Sequence, residues 1–307
     1  VSGVATSWLL ARSQREAAAT GARLRFLGPR SWRLLVPLAF GMLVIVPPQS
    51  YFEVVDKLPG GYHDGYLAFW ARYLSADTGF CRGEDCLIVP TWNHLWFVAY
   101  LWVYTVAIWL LLRFAPLRLE RAAAWLGARP GSGLALLLAP ALLLAQVRVL
   151  LIGRFGSTHA LVDDWYNHAQ YFFVFLFGFL AAHEARIWDG FARLRWPALA
   201  LWLASWLAIV GYFELYRVDA PPEALRTAMR AAWGLNQWTA IVAILGFARR
   251  IAPGDSPALR YLSRAIFPVY ILHQTVIVLL AVHFRPLQLD PRLEGALLAA
   301  LTFALCL

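Results

Sequence analysis

The sequence predicts an all-α fold, a polytopic bundle of transmembrane helices, from three observations. The first is composition: of 307 residues, 61% are hydrophobic and 15% charged, against roughly 45–50% and 25% in soluble domains. Mean hydropathy is +0.58. One core of this size cannot hide such an excess, because surface grows almost as fast as volume, so much of it must face lipid. The second is segmentation of the apolar residues into stretches of spanning length. The third is the distribution of arginine among the connections.

A helix needs about 20 apolar residues to cross the hydrocarbon. Seven stretches qualify: 34–51, 94–112, 133–153, 169–187, 197–216, 232–248 and 265–284. The first is short and closes on Pro47-Pro48, which ends or kinks it. Residues 4–11 read as the tail of a helix that begins upstream, and 295–307 as a helix cut inside its apolar run. With no initiator Met and no signal peptide, the expectation is an excerpt of a longer protein, trimmed at both ends.

Lys and Arg orient the spans. One side carries Arg12, Arg23, Arg25, Arg30, Arg33, Arg113, Arg129, Arg186, Arg249 and their neighbours, seventeen of the 27 basic residues. The other side carries nine, and Arg148 lies within a span. The first side is therefore cytoplasmic. The net charge of +9 is this topology signal, so nucleic acid is not expected as a partner. Intrinsic disorder and a secreted disulfide scaffold are excluded by the same composition.

The outer side holds one long loop, 52–93, with Gly60-Gly61, aromatics, Cys81 and Cys86. Two cysteines on an oxidising face can pair, but spacing alone does not fix the geometry. Cys306, in the terminal apolar segment, reads as inert. The chain has no CxxC pair or HExxH motif, so no metal is expected. Lys57, the only lysine, sits in a loop, which argues against Schiff-base chemistry. GxGxxG, Walker A and GxSxG patterns and internal repeats are all missing.

Ionisable groups inside spans are costly and are functional candidates by default. Arg148 reads either as a side chain snorkelling to the outer interface or as a buried cation facing a polar cavity, paired with Asp163 or Asp164. His273 sits mid-span between Tyr270 and Gln274, as an interhelical hydrogen-bonding group or as a residue lining a pathway. Asp164 and His168, four apart, share a face if they open a helix. A carboxylate orienting an imidazole is general-base chemistry; helix capping by Asp163 or Asp164 is the competing reading. His94, at a helix start, is expected to be neutral and able to exchange a proton. Arg30 and Arg33, three apart, share a helix face and form a phosphate clamp or a positive-inside flank. His63, His159 and His283 receive no specific role, and His183, with Glu184 and Arg186, reads as an interfacial anchor.

Five strings, VSG at the start, RSWRLLVPLAFGMLVIVPPQSYFE, HLWFVAYLWVY, DDWYNHAQYFFVFLFGF and YLSRAIFPVYILHQTVIVLL, together resemble the acyltransferase-3 family of integral membrane O-acyltransferases. The resemblance runs over the whole chain and is strongest to the glucan-modifying, succinyltransferase-like branch. It implies a bundle of about ten spans, of which about nine are expected here, two of them partial, in a single membrane-embedded acyltransferase domain. It implies transfer of an acetyl or succinyl group from cytoplasmic acyl-CoA to a hydroxyl of an extracytoplasmic glycan or other carbohydrate. A bacterial inner membrane is the expected location. The family's cytoplasmic Arg-x-x-Arg motif matches Arg30 and Arg33, which implies contact with CoA phosphates. Its general-base histidine lies on a first helix, and no residue here receives that role. His94, Arg148, Asp164, His168 and His273 remain the candidates for substrate binding or charge stabilisation. The alternatives are a transporter or flippase for a sugar, lipid or anion, which would favour matched broken helices in two halves, and a membrane scaffold without chemistry.

Overall fold

The computed structural model describes residues 2–16, 26–58, 61–128, 133–251, 254 and 256–307; Arg23, Arg25, Arg129 and Gly60 lie outside them. The chain is 82% helical. Among the described residues six helical paths are long and apolar enough to cross a membrane: Leu27–Lys57, Asn93–Phe114, Gly133–Phe155, Ala185–Leu215, Glu223–Ile251 and Pro257–Leu287. The chain is therefore an integral membrane protein. Seven full spans were expected, and about nine in all; six are confirmed among the described residues. The stretch 169–187 accounts for one difference. Its helix stops at Ala181, and a turn at Ala182, His183 and Glu184 precedes a new helix. Hydropathy does not register such a turn, because apolar residues continue on both sides of it.

The residues divide into two compact units, Val1–Arg30 with Tyr100–Pro253, and Ser31–Ala99 with Gly254–Leu307. The first contains α1 (Ser2–Glu16), most of α5 (Trp96–Phe114), α6 (Pro116–Ala128), α7 (Gly133–Phe155), α8 (Trp165–Ala181), α9 (Ala185–Leu215) and α10 (Glu223–Ile251). Helices α9 and α10 form its most extensive pair, followed by α7 with α10. Without a hydrophobic drive in lipid, helices associate by close packing of small residues. Gly234 of α10 lies against the backbone of Ala145 in α7, and Gly246 against that of Phe191 in α9. A side chain at either position would push the pair apart.

Pro140 lies inside α7. Lacking an N–H, it leaves the carbonyl four residues back, Leu136, without its helical partner. The Trp238 indole, 1% exposed, donates to that oxygen at 3.0 Å. Phe177 and Phe191 pack edge-on to the same indole. Likewise Trp188 Nε1 donates to Ala181 O at 2.9 Å, where α8 ends.

The second unit contains α2 (Leu27–Phe40), whose first turn belongs to the other unit, a π-helical turn Gly41–Ile45, α3 (Pro47–Lys57), α4 (Tyr66–Leu74), the hairpin β1 (Cys81–Arg82) and β2 (Asp85–Cys86), a 3-10 turn Asn93–Leu95, α11 (Pro257–Phe284) and α12 (Pro291–Cys306). Pro47-Pro48 does not end the span: it opens α3, where proline is tolerated. The cost falls on the preceding carbonyls. Val46 N–H reaches back five residues to Gly41 O (2.8 Å). Met42 O accepts from Tyr73 Oη (2.9 Å), Leu43 O from Trp70 Nε1 (2.9 Å) and Ile45 O from Thr275 Oγ1 (2.7 Å). Broken backbone at membrane depth persists only where such partners exist.

The described residues of the expected loop 52–93 are folded. Phe69, Tyr73 and Phe80 form a core with Tyr51, Tyr62 and Tyr66. Cys81 and Cys86 pair across the hairpin and form a disulfide. Arg72 lies over the Phe80 ring at 4.5 Å and donates to Asp77 Oδ2 at 2.6 Å. That hydrogen bond, more than any other contact, holds the Asp77 carboxyl below its ordinary value. Helices α11 and α12 start on side-chain caps, Ser256 to Leu259 N (3.1 Å) and Asp290 to Arg292 N (2.9 Å).

Candidate functional site

Among the described residues, two clusters of polar side chains hold most of the candidate residues, one in each unit. The cluster of the second unit lies at the broken Leu27–Lys57 path. Gln49, buried on the first turn of α3, donates to Thr275 Oγ1 at 2.6 Å and lies 3.4 Å from His94 Nδ1. Its Oε1 accepts from Asn93 Nδ2 at 3.2 Å. His94 Nε2 is 3.0 Å from the Ile271 carbonyl. A carbonyl only accepts, so the proton sits on Nε2 and the Nδ1 lone pair faces Gln49. Tyr270 Oη donates to the His94 carbonyl. His94 is thus fixed in one tautomer with both nitrogens engaged.

His273 is different. Its Nδ1 faces the carbonyls of Tyr270 at 2.7 Å and Val269 at 3.2 Å, which assigns the proton to Nδ1. Nε2 then carries a lone pair with no hydrogen-bond partner among the described residues. The ring stands perpendicular to that of His94, with centroids 5.1 Å apart. From the ends of α11, His273 lies roughly 16 Å or more within the helix.

In the first unit Asp164 precedes α8 and is fully buried. Its carboxylate does not cap the helix; it turns back on the connecting loop. It accepts from Tyr100 Oη, from Asn167 Nδ2 at 2.9 and 3.0 Å, and from the backbone N–H of His159 at 3.0 Å and Thr158 at 3.5 Å. Burial alone would raise this carboxyl, but the hydrogen bonds from Tyr100, Asn167, Thr158 and His159 outweigh it and hold it below the ordinary carboxylate value. The loop needs this anchor, since Gly156, His159, Leu161 and Asp163 all have positive φ. His159, Leu161 and Asp163 occupy that left-handed region at a cost.

The Asp164–His168 pair that the spacing allowed is not made. His168 Nε2 lies 2.7 Å from Leu161 O and its Nδ1 3.3 Å from Tyr104 Oη, while its ring stacks on Tyr100 at 4.7 Å. Both nitrogens are engaged, and Asp164 does not orient the ring. Asn167 continues the polar chain inward: its Oδ1 accepts from Gln170 Nε2 at 2.7 Å, and Gln170 Oε1 accepts from Gln237 Nε2 at 3.1 Å.

Arg148 is not paired with Asp163 or Asp164. Its Nη1 donates to Tyr166 Oη, and its guanidinium lies 4.6 Å from the Trp233 ring centroid and 5.5 Å from that of Tyr166. Nε is buried without an acceptor. The side chain therefore packs between α7, α8 and α10. Arg30 Nε donates to Thr105 Oγ1 at 3.3 Å, and Arg33, one turn later on α2, is exposed. Among the described residues no group of three or more His, Cys, Asp or Glu side chains is placed to hold a metal ion.

Gln49, Thr275, Asn167, Gln170, Gln237 and Tyr100 escape sequence reasoning. Each is a neutral residue in an apolar helix and is not costly enough alone to stand out. The signal available was the recurrence of amides inside spans.

The chain matches the acyltransferase domain family of acyltransferase-3 type over residues 1–307. No curated protein and no solved structure matches it. A match over the full length, carried on membrane-crossing helices with polar clusters inside them, settles the family: the chain belongs to the acyltransferase-3 family and is a membrane acyltransferase.

Proposed function

We propose that this protein takes an acetyl or succinyl group from cytoplasmic acyl-CoA and transfers it to a hydroxyl of an extracytoplasmic glycan, in a bacterial inner membrane. The observation that carries the reading is His273: an imidazole inside a membrane helix, in a chain of an acyltransferase family, with its proton fixed on Nδ1 and Nε2 uncommitted. Nε2 accepts a hydrogen bond from a neighbouring hydroxyl of the acceptor glycan and so orients the reacting oxygen. That oxygen attacks the thioester carbon, the hydroxyl proton passes to the general-base histidine that the resemblance places on a first helix, and the C–S bond breaks. The same proton leaves on the CoA thiol, so the step balances. Arg30 and Arg33 hold CoA phosphates on the cytoplasmic side, where the multiply charged nucleotide stays in water while the thin pantetheine arm enters the helices. His94, His168 and Asp164, with their bonding capacity spent on protein groups, keep the helices and the 156–164 loop in place.

The test is CoA binding to the purified protein in detergent, with CoA and 3′-dephospho-CoA, for wild type and for the Arg30→Ala, Arg33→Ala double variant. The reading expects CoA to bind, to weaken without its 3′-phosphate, and to weaken again in the variant. A folded protein that binds no CoA overturns acyl-CoA as donor.

A further inference from the structure

Arg148 sits in a helix read as crossing the membrane, roughly 10 Å before its outer end at Phe155. A guanidinium carries five N–H groups. Here one is used, by Tyr166 Oη, and Nε is buried without an acceptor. No carboxylate among the described residues forms an ion pair with it. Asp164, the buried anion of the same unit, directs its oxygens to Tyr100, Asn167 and two backbone N–H groups. The anion is locally satisfied and the cation is not.

Snorkelling does not account for this geometry. Arg148 is one turn from Ala145, whose backbone abuts Gly234 of α10, and its guanidinium lies over Trp233 on the same helix. Residues three apart share a helix face. The charge therefore faces the seam between helices, beside the Trp233 and Tyr166 rings, instead of lipid headgroups. A guanidinium presents a planar fork of N–H donors that matches the two oxygens of a carboxylate. A single cation balances a single negative charge, which selects a carboxylate over a phosphate dianion.

We propose that Arg148, clamped by Trp233 and Tyr166, is a binding site for one carboxylate of a substrate. That carboxylate has two possible sources, the far end of a dicarboxylic acyl group or an acidic sugar in the acceptor. The site stands on its own geometry and does not require acyl-CoA to be the donor.

The experiment measures binding of small probes to the detergent-purified protein by equilibrium titration. Monomethyl succinate carries the acyl-type carboxylate and dimethyl succinate is its neutral counterpart; glucuronate and glucose form the second pair. The expected result is that one acid binds, its neutral counterpart does not, and Arg148→Gln weakens the acid about tenfold or more, the loss of a charge-assisted hydrogen bond. Whichever acid binds names the source. Trp233→Leu keeps the charge and removes the ring beside it, and is expected to weaken the same acid several-fold even if Arg148→Gln does not fold. The proposal is overturned if neither acid binds wild type, if inorganic phosphate binds in preference to both, or if binding survives the substitutions unchanged. None of these outcomes bears on CoA binding, so failure here is distinct from failure of the acyl-transfer reading.

Discussion

The Trp238 indole donates to the Leu136 carbonyl, the oxygen that Pro140 leaves without a helical partner. The relationship spans two helices and turns a backbone defect into an interhelical bond. Trp238→Phe is expected to lower stability by about 1–3 kcal/mol, the cost of an unsatisfied buried acceptor, plus lost packing. Pro140→Ala restores an N–H for that oxygen. In the Pro140→Ala background Trp238→Phe is then expected to cost less, which a double-mutant cycle of unfolding in mild detergent reads directly. Equal costs in both backgrounds would show that the bond carries no weight.

Asp164 gives a pH prediction with a definite sign. Its carboxyl is held below the ordinary value in the folded protein. Such a group contributes stability above its unfolded pKa, near 3.9, and loses it as pH falls through the lower folded value. Hydrogen exchange at the Thr158 and His159 amides is expected to stay slow at neutral pH and to accelerate, relative to intrinsic rates, on acidification below about pH 4. Asp164→Asn should show fast exchange at neutral pH with no such acid step. An acid step that persists in the variant would assign the effect to another group.

The span positions were legible because hydropathy is a sum over many residues and tolerates local detail. Arg148 was legible because one charge in an apolar run is conspicuous. Its partners were not: Tyr166 and Trp233 lie 18 and 85 positions away on other helices, and nothing local points to them. The Asp164–His168 pairing failed for the same reason. Spacing put the two on one face, but Tyr100, 64 residues upstream, supplied the hydroxyl that Asp164 bonds. The Ala182–Glu184 turn was invisible to an average, and Pro47-Pro48, read as an end or a kink, opens a new helix after a π-helical turn because prolines suit a first turn.

The disulfide tests the orientation read from arginine. Cys81 and Cys86 are joined in the hairpin, in a segment assigned to the extracytoplasmic side by charge asymmetry. In sealed cells an impermeant maleimide should label neither until a reductant is added, and both afterwards. Labelling only after the membrane is permeabilised would invert the topology, and with it the side from which CoA must arrive.

His94, His168 and His273 are expected to differ in tautomer. Backbone carbonyls face Nε2 of His94 and His168 but Nδ1 of His273. Nitrogen-15 NMR of histidine-labelled protein at neutral pH, assigned by single substitutions, should therefore show His94 and His168 protonated at Nε2 and His273 at Nδ1, the last signal vanishing in His273→Gln. The glutamine side chain keeps a hydrogen-bonding group near Nε2 but lacks the imidazole lone pair. If His273 orients the acceptor hydroxyl, acyl transfer by the His273→Gln enzyme should fall about tenfold or more while CoA affinity stays unchanged. A parallel loss of CoA affinity would instead show that His273 supports the helices, and the uncommitted nitrogen would have no part in the reaction.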